Sequence, residues 1–205
     1  IASITLQLIV GGITFAGFFI KSPQGQDDIS VVLGLEFGSQ MIEFLWYLIV
    51  VCRFKSIITW TRYIDWVVST PLMLLSTFMF FLIRRGISVS QVFNRANLWL
   101  SLVFNWVMLV AGFGLEIEKT PKGLSLFVGG GGLVASFTFL ARELDDNDSV
   151  SVTLFWFMYV VWFMYGFAAV LPYTPKNVGY NMLDIVSKNF YGVFLFVYVL
   201  QYNDW

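Results

Sequence analysis

Seven stretches of predominantly apolar residues run along the chain, separated by short polar or proline-containing breaks. Each stretch is close to the roughly 20 residues that an α-helix needs to cross the hydrocarbon core of a bilayer. Because the breaks are short, consecutive helices should lie antiparallel beside one another. The pattern predicts an all-α membrane protein, with one domain over residues 1–205 folded as a seven-transmembrane-helix bundle that spans residues 2–20, 31–52, 62–83, 97–115, 124–141, 150–171 and 177–200.

Two stretches carry further local information. The first has no basic region before it and no small-residue cleavage pattern after it, so we expect it to be a retained span. The fifth contains four consecutive glycines, Gly129 to Gly132. Small residues let membrane helices approach closely, and the run therefore favours tight packing against a neighbouring helix over local flexibility.

Composition supports the membrane location and excludes several kinds of chemistry. Apolar residues make up 58% of the 205 residues and charged residues only 12%, against about 25% charged in soluble domains. The absence of His and the single Cys, Cys52, exclude a zinc or iron site of the usual ligands and an internal disulfide, so we expect no metal. A net charge of −1 without a basic tract argues against nucleic acid as a partner. Basic residues divide equally between the two sets of loops, so charge leaves the orientation open.

Six ionisable residues interrupt the apolar stretches. A charged side chain at the bilayer centre costs about 2.5–3.5 kcal/mol on insertion scales, so such residues persist where they pair or line a wet cavity. Asp65 and Asp184 are the natural counterions for Lys188, which lies deep inside the seventh stretch. The alternative for residues near span ends, that they extend their charge to the membrane surface, applies to Glu36 and Arg62. The full set is Glu36, Glu43, Arg62, Asp65, Asp184 and Lys188.

Polar residues recur at the helical period on three of the predicted spans. Since lipid cannot satisfy polar groups, stripes on otherwise apolar helices should face the bundle interior. Together they could line a hydrated route between the first, second and seventh helices, or form interhelical hydrogen bonds that hold the bundle together. The stripes are Ser3 and Gln7 on the first span, Glu36, Gln40, Glu43 and Tyr47 on the second, and Asn177, Asn181, Asp184 and Lys188 on the seventh.

Two sequence segments carry a resemblance to a known family. The third span contains Arg-Tyr-Ile-Asp-Trp-Val-Val-Ser-Thr-Pro-Leu from Arg62 to Leu72, and the seventh contains Leu-Asp-Ile-Val-Ser-Lys from Leu183 to Lys188. These resemble the helix C signature and the retinal-lysine signature of microbial rhodopsins, in the same order and on the third and seventh of seven spans. The short loops are most similar to those of the compact rhodopsins of giant algal viruses.

The resemblance implies a bound all-trans retinal and assigns roles around it. Lys188 would hold the retinal as a protonated Schiff base, with Asp65 and Asp184 as counterions and Asp65 as primary proton acceptor. The chemistry is consistent, because a lysine amine condenses with an aldehyde and the resulting cation needs a nearby carboxylate in an apolar pocket. Arg62 and Ser69 would support the counterions, and the retinal would be flanked by Trp66, Thr70, Met73, Trp162, Tyr165 and Ser187.

The sixth span departs from the family pattern of Trp-x-x-Tyr/Phe-Pro. Two frames compete, Trp156 with Tyr159 and Trp162 with Tyr165, and the second is preferred for its depth in the span. Gly166 follows where the family has its proline, so the usual helix kink is in doubt. The alternative is a generic aromatic membrane helix.

A second departure bears on function. Efficient outward proton pumps of this family carry a carboxylate five positions after the helix C proline, where this chain has Ser76. Serine cannot deliver a proton at neutral pH, so rapid pumping is disfavoured unless Glu36 serves as donor. A chloride pump is disfavoured because it would require a neutral residue in place of Asp65.

Two transport hypotheses follow, with a photosensor as a weaker third. A light-gated cation channel is favoured because carboxylate-lined pores attract cations, and because glutamates on the second helix and Asn189 after the lysine resemble channelrhodopsins. A slow outward proton pump, with Asp65 as acceptor and Glu36 as donor, is the alternative. The resemblance further implies a non-enzymatic multi-pass protein in the lipid bilayer, with its N-terminus outside and C-terminus inside, that carries cations or protons and leaves a homo-oligomer open.

Overall fold

The fold was analysed in a computed structural model that describes residues 2–20, 28–53 and 59–201, with the side chains of 5–20, 28–49 and 59–201. The described residues form helices joined by short connections. Single turns of 3₁₀ helix lie at Gly17–Phe19 and Thr59–Thr61, and a longer one at Val89–Asn94. The α-helices are α1 (Ala2–Ala16), α2 (Ile29–Arg53), α3 (Arg62–Arg84), α4 (Ala96–Glu116), α5 (Lys122–Ala141), α6 (Ser149–Ala169), α7 (Tyr173–Asp184) and α8 (Phe190–Gln201).

The last crossing is made of two α-helices. A π-helical segment, Ile185–Asn189, joins α7 to α8, so that Tyr173–Gln201 forms one span of 29 residues. This span begins four residues earlier than the sequence pattern indicates. Pro175 lies in its first turn, where backbone N–H groups have no intrahelical partner and a proline is tolerated.

The prediction of a seven-helix membrane bundle is confirmed. In the part of the chain that the structure describes, six crossings are long and apolar enough to span a bilayer by length and composition, whereas the apolar part of the first, Thr5–Phe19, is shorter. Apolar side chains exposed on the helices, such as Val110 and Phe127 at 71% and 81% exposure, form the surface that lipid would cover.

Pro71 lies inside α3, where it cannot donate the hydrogen bond that the Val67 carbonyl would otherwise accept. That carbonyl instead accepts a hydrogen bond from the Trp106 indole of α4 at 3.5 Å. One residue before the proline, Thr70 donates to the Trp66 carbonyl and accepts from Asn105 of α4. Hydrogen bonds from Trp106 and Asn105 thus join α4 to α3 next to the proline.

Tight packing of α5 is observed at one end of its glycine run. A Cβ at Gly132 would lie 2.9 Å from the Met108 backbone nitrogen and the Phe104 carbonyl oxygen of α4. Ser136, one turn later, donates to the Ser101 carbonyl at 2.9 Å. At Gly130 and Gly131 a Cβ would meet nothing within 4 Å, so the expected close approach belongs to one side of the run only.

Charged residues fasten one end of the bundle. Arg84 at the end of α3 makes two hydrogen bonds to Asp148, at 2.8 and 2.5 Å, and a third to the Tyr198 hydroxyl of α8 at 3.1 Å. Asp148 also accepts from Val150 N and Ser151 Oγ, and so caps the N-terminus of α6. Three spans are joined through this one arginine.

Candidate functional site

Lys188 lies in the π-helical segment, and its side chain is 1% exposed. Its amine donates to Asp65 Oδ2 at 2.6 Å, and Glu43 Oε2 lies 4.0 Å from the same nitrogen. Its backbone carbonyl accepts from Gln40 Nε2 at 3.3 Å. Short π-helical segments inside α-helices frequently mark functional sites, and this one turns a buried lysine toward two carboxylates on α2 and α3.

Asp184, one turn before Lys188, is held by a different set of partners. Its Oδ2 pairs with Arg62 at 3.0 Å and accepts from the Tyr47 hydroxyl at 3.2 Å. Its Oδ1 accepts from the Trp66 indole at 3.0 Å and the Tyr165 hydroxyl at 2.8 Å. The carboxylate is therefore saturated by four donors and fixed in place. The two predicted counterions thus occupy different positions, since Asp65 contacts Lys188 whereas Asp184 pairs with Arg62.

Arg62 is fully buried and forms the centre of a cluster between α2, α3 and α7. Besides Asp184, its guanidinium donates to the Tyr47 hydroxyl at 3.0 Å and to the Asn181 side-chain oxygen. It also lies 5.6 Å from the Trp46 ring and 5.9 Å from the Tyr180 ring, within cation–π range. Both terminal nitrogens of the guanidinium are thus paired, as a buried arginine requires, whereas Nε has no hydrogen-bond partner among the described residues.

A cavity of about 420 Å³ lies between α3, α4, α5, α6 and the seventh crossing, with Lys188 at one end. Its wall is mostly apolar, and its volume falls in the range typical of small-molecule sites. All six residues predicted to flank a retinal line this cavity: Trp66, Thr70, Met73, Trp162, Tyr165 and Ser187.

The cavity also contains lining residues that sequence reasoning missed. Tyr180 lies one turn before Asp184 on the polar stripe of the seventh crossing, and that register could have indicated it. Its ring packs edge-on against Trp66 with centroids 5.0 Å apart. The α4 and α5 residues gave no signal, because an apolar residue facing a cavity looks like one facing lipid: Met108, Leu109, Gly112 and Leu133.

The structure distinguishes the two frames considered on the sixth span. Trp162 is 6% exposed and lines the cavity together with Tyr165, whose hydroxyl lies 3.0 Å from Ser187 Oγ. Trp156 is 56% exposed on the outer face of α6. α6 runs as one α-helix from Ser149 to Ala169 through the position of the missing proline.

The predicted polar stripes divide into two groups. Asn177 and Asn181 lie in hydrogen-bonded positions near Arg62, with Asn177 Nδ2 3.1 Å from Thr59 Oγ1. The side chain of Ser3 lies outside the described residues. Four stripe residues on the first and second helices, together with Asn189 directly after Lys188, are almost completely buried between α1, α2 and the seventh crossing. We refer to these five residues as the polar row: Gln7, Glu36, Gln40, Glu43 and Asn189.

Unpaired polar atoms concentrate in the polar row. Among the described residues, both side-chain amide atoms of Gln7 and of Asn189, both Glu43 carboxylate oxygens, and Oε1 of Glu36 and of Gln40 have no hydrogen-bond partner. Proteins rarely leave buried polar groups unpaired, and ordered water commonly supplies the missing partners. Within the described residues, the polar row is therefore not a closed hydrogen-bond network.

Ser76 and Glu36 meet across α3 and α2. Ser76 Oγ lies 3.3 Å from Glu36 Oε2, and both side chains are fully buried. The Glu36 carboxyl group of α2 thus lies next to position 76 of α3, where outward proton pumps of the family carry a carboxylate. Ser69, predicted to tune Asp65, is also fully buried, but neither its Oγ nor Asp65 Oδ1 has a hydrogen-bond partner in the described part of the chain.

Comparisons with known proteins agree with this geometry. The family model described as "Bacteriorhodopsin-like protein" matches residues 1–202. Among solved structures, the chain is similar to the viral rhodopsin OLPVRII, with a TM-score of 0.89 and 24% identity over 98% of this chain and 95% of that chain. It is also similar to a light-driven proton pump from Leptosphaeria maculans (TM-score 0.77, 16% identity, 98% and 93% covered) and to bromide-bound halorhodopsin from Halobacterium salinarum (0.75, 15%, 98% and 91%). The comparison with curated proteins found no match.

Proposed function

Since the chain belongs to the bacteriorhodopsin-like family of microbial rhodopsins, we propose that it is a retinal-binding light-gated cation channel. The family implies the retinal chromophore and a place in the membrane. The channel assignment, the covalent attachment of the retinal and the residues that carry transport are the parts that we propose. The observation that carries the assignment is the polar row, which meets the Lys188–Asp65 ion pair through Glu43.

The residues around Lys188 fit a retinal bound through that amine. The lining of the cavity includes Lys188 on the seventh crossing and Gly129 on α5, and the aromatic rings of Trp66 and Trp162 border it. When bound as a protonated Schiff base on Lys188, all-trans retinal supplies the absorption of visible light and a change of shape after absorption. Replacement of the lysine by alanine should therefore leave a folded but colourless protein.

Asp65 and Asp184 contribute differently at this site. Asp65 holds a positive charge at the Lys188 nitrogen through a 2.6 Å contact, and its Oδ1 is free of hydrogen bonds within the described chain. It is therefore the group that can accept a proton. Asp184, with four donors, holds Arg62 in position. One carboxylate thus contacts the Lys188 amine, and the other belongs to the Arg62 cluster.

The route that we propose for cations follows the polar row and continues past the Arg62 cluster. Acidic side chains and amide oxygens along it would replace part of the hydration shell of a cation and repel anions. In the dark, Lys188 blocks the junction between the two parts, because its amine is bound to Asp65 and lies within 4.0 Å of Glu43. Loss of these contacts after illumination would leave two carboxylates facing the route, which favours cation passage.

Voltage-clamp recording from cells supplied with retinal tests this proposal. A channel gives a photocurrent that reverses sign with voltage, at a potential that follows the imposed cation gradient. Glu43→Gln should change the relative permeability of cations, because it removes a charge 4.0 Å from the Lys188 amine. Glu118→Gln is the matched control, since it removes the same charge at an exposed position outside the helices. A photocurrent that keeps one sign at every voltage and gradient contradicts the channel.

A slow outward proton pump is the second candidate, and the contact between Ser76 and Glu36 favours it. In this alternative Asp65 accepts the proton and Glu36 returns one from the other side. Illuminated cells would acidify their medium, and a protonophore would abolish the change. The pump and the channel both rest on the retinal site, so colourless protein would contradict both, whereas current reversal separates them.

The remaining assignments follow from the same proposal. The partners are the lipid bilayer and the transported cations or protons, and no catalysed reaction is required. We place the N-terminus outside and the C-terminus inside, as in the family. A signalling role and a homo-oligomeric assembly remain weaker alternatives, because transport needs only the polar row and the retinal cavity of one chain.

A further inference from the structure

The retinal cavity reaches the outer surface of the bundle on one side. Residues that line it from α3, α4 and the seventh crossing are buried or half-buried. The exposed lining residues all lie on α5 and α6 or directly after α6, and two of them, Phe163 and Phe167, are 46% and 56% exposed. They are Gly130, Phe163, Gly166, Phe167 and Val170. The cavity therefore opens sideways, between α5 and α6, toward the face that lipid covers.

The two helices are closely packed on one side of this opening. Phe137 of α5 packs edge-on against Tyr159 and Trp162 of α6, with both ring centroids 5.3 Å away. The helices run antiparallel, so Gly130, two turns before Phe137, is level with Gly166, two turns after Tyr159. A Cβ at either glycine would meet nothing within 4 Å. The opening exists because both helices lack side chains at this level.

The remaining walls give an apolar molecule no comparable access to Lys188. On another side of the cavity, the lining residues Trp66 and Tyr165 donate to Asp184, which is paired with the fully buried Arg62. Passage there would require those charges to lose their partners, which is strongly unfavourable in a buried site. The opening between α5 and α6 presents only glycine backbone and aromatic or aliphatic side chains.

We propose that the opening between α5 and α6 is the entrance through which retinal passes from the bilayer to Lys188. The inference rests on the proposed function, because it assumes that a retinal binds to this lysine. Retinal is apolar and dissolves in the bilayer, and its aldehyde must reach a side chain that is 1% exposed. A lateral entrance lets the polyene stay in apolar surroundings throughout, and no ion pair has to open.

The test measures the rate at which pigment forms when all-trans retinal is added to membranes that contain the retinal-free protein. Gly130→Phe and Gly166→Phe each place a ring in the opening without displacing a neighbouring atom at the Cβ position. Both should slow pigment formation at least about tenfold, which corresponds to a barrier about 1.4 kcal/mol higher. Each rate is measured relative to the final absorbance of the same variant, so that a change in the amount of pigment is separated from a change in the rate of entry.

Gly131→Phe is the matched control. Gly131 is the next residue on α5, is exposed and has open space at its Cβ, but it does not line the cavity. It should leave the rate unchanged. Equal rates of pigment formation for Gly130→Phe, Gly166→Phe and Gly131→Phe would contradict the proposed entrance. Loss of final colour in both Gly130→Phe and Gly166→Phe would also contradict it, because the added rings would then occupy the retinal site itself. If the unchanged protein stayed colourless, the proposed function would fail instead.

Discussion

Asp65 Oδ2 lies 2.6 Å from Lys188 Nζ, with both side chains 1% exposed, whereas Asp184 is bound by Arg62 in a separate ion pair. The two aspartates are thus not equivalent. A charge pair at this distance in a water-poor interior is strongly coupled, and removal of one partner leaves an uncompensated charge.

Asp65→Asn should retain retinal but shift its absorption to longer wavelength and prevent light-induced proton transfer to position 65. The positive charge lies nearest the nitrogen before excitation, so a lost carboxylate raises the energy of the ground state more than that of the excited state. Absorption spectra and pH-indicator dyes during flash illumination measure the two effects. Asp65→Glu, which keeps the charge, should preserve proton transfer. An unshifted Asp65→Asn spectrum would contradict the assigned role.

Glu36→Gln tests whether the α2 carboxyl takes part in proton return. If it does, recovery of the dark spectrum after a flash should slow by roughly a hundredfold, the scale of general acid–base catalysis. Ser76→Ala removes the 3.3 Å hydrogen bond but keeps the carboxyl group, so it should alter recovery much less. Recovery at the normal rate in Glu36→Gln, with cation photocurrent intact, would remove the pump alternative.

The contact between Arg84 and Asp148 predicts an acid-dependent stability. The Arg84 hydrogen bonds lower the pKa of Asp148 from 3.8 to about 2. A depressed carboxyl pKa means that the stabilisation is complete above the ordinary value and is lost as the pH falls through the folded-state value. Asp148→Asn keeps a good helix cap but not the charge. Because solvent weakens a partly exposed ion pair, the variant should be about 1 kcal/mol less stable at neutral pH.

The measurement is thermal bleaching of the pigment against pH for both proteins. The difference between them should be constant above about pH 4 and should disappear near pH 2, because protonated Asp148 then resembles asparagine. Asp145→Asn, at an exposed carboxylate in the same loop, is the control and should show a smaller difference. A difference that does not depend on pH would show that the ion pair contributes nothing.

Gly132→Ala should destabilise the bundle by about 1–3 kcal/mol, the usual range for overpacking. The added methyl would lie 2.9 Å from backbone atoms of α4, which cannot move as a side chain can. Gly131→Ala introduces the same methyl where nothing lies within 4 Å and should be nearly neutral. Unfolding titrations of the two variants in the same detergent compare them. Equal stability would mean that α4 and α5 adjust without strain.

Much of the fold could be predicted from the sequence, because hydrophobic length alone decides which segments can cross a bilayer. The predicted spans agree with the helices to within a few residues. The two exceptions both lie in the seventh crossing, where hydropathy gives no information. This crossing starts at Tyr173, because a proline is allowed in a first helical turn. It also contains a π-helical segment around Lys188, which no sequence pattern indicated.

The candidate site could likewise be predicted from the sequence only in part. Motif and helical period brought out most of the residues that line the cavity on α3 and the seventh crossing, since one face of a helix is fixed by spacing. The partners across helices could not be read in this way. Glu43 beside Lys188, Glu36 beside Ser76, and Asn105 beside Thr70 join residues far apart in sequence.

The sequence by itself determined that this chain fills a bilayer with apolar helices and places a lysine and several acids within them, because transfer free energies and helical periodicity are local properties of the chain. Only the tertiary structure decided which acid faces that lysine, where buried polar atoms lack partners, and where α5 and α6 separate to open the cavity. Those features depend on distances between helices, and such distances are set by the packing of every side chain at once.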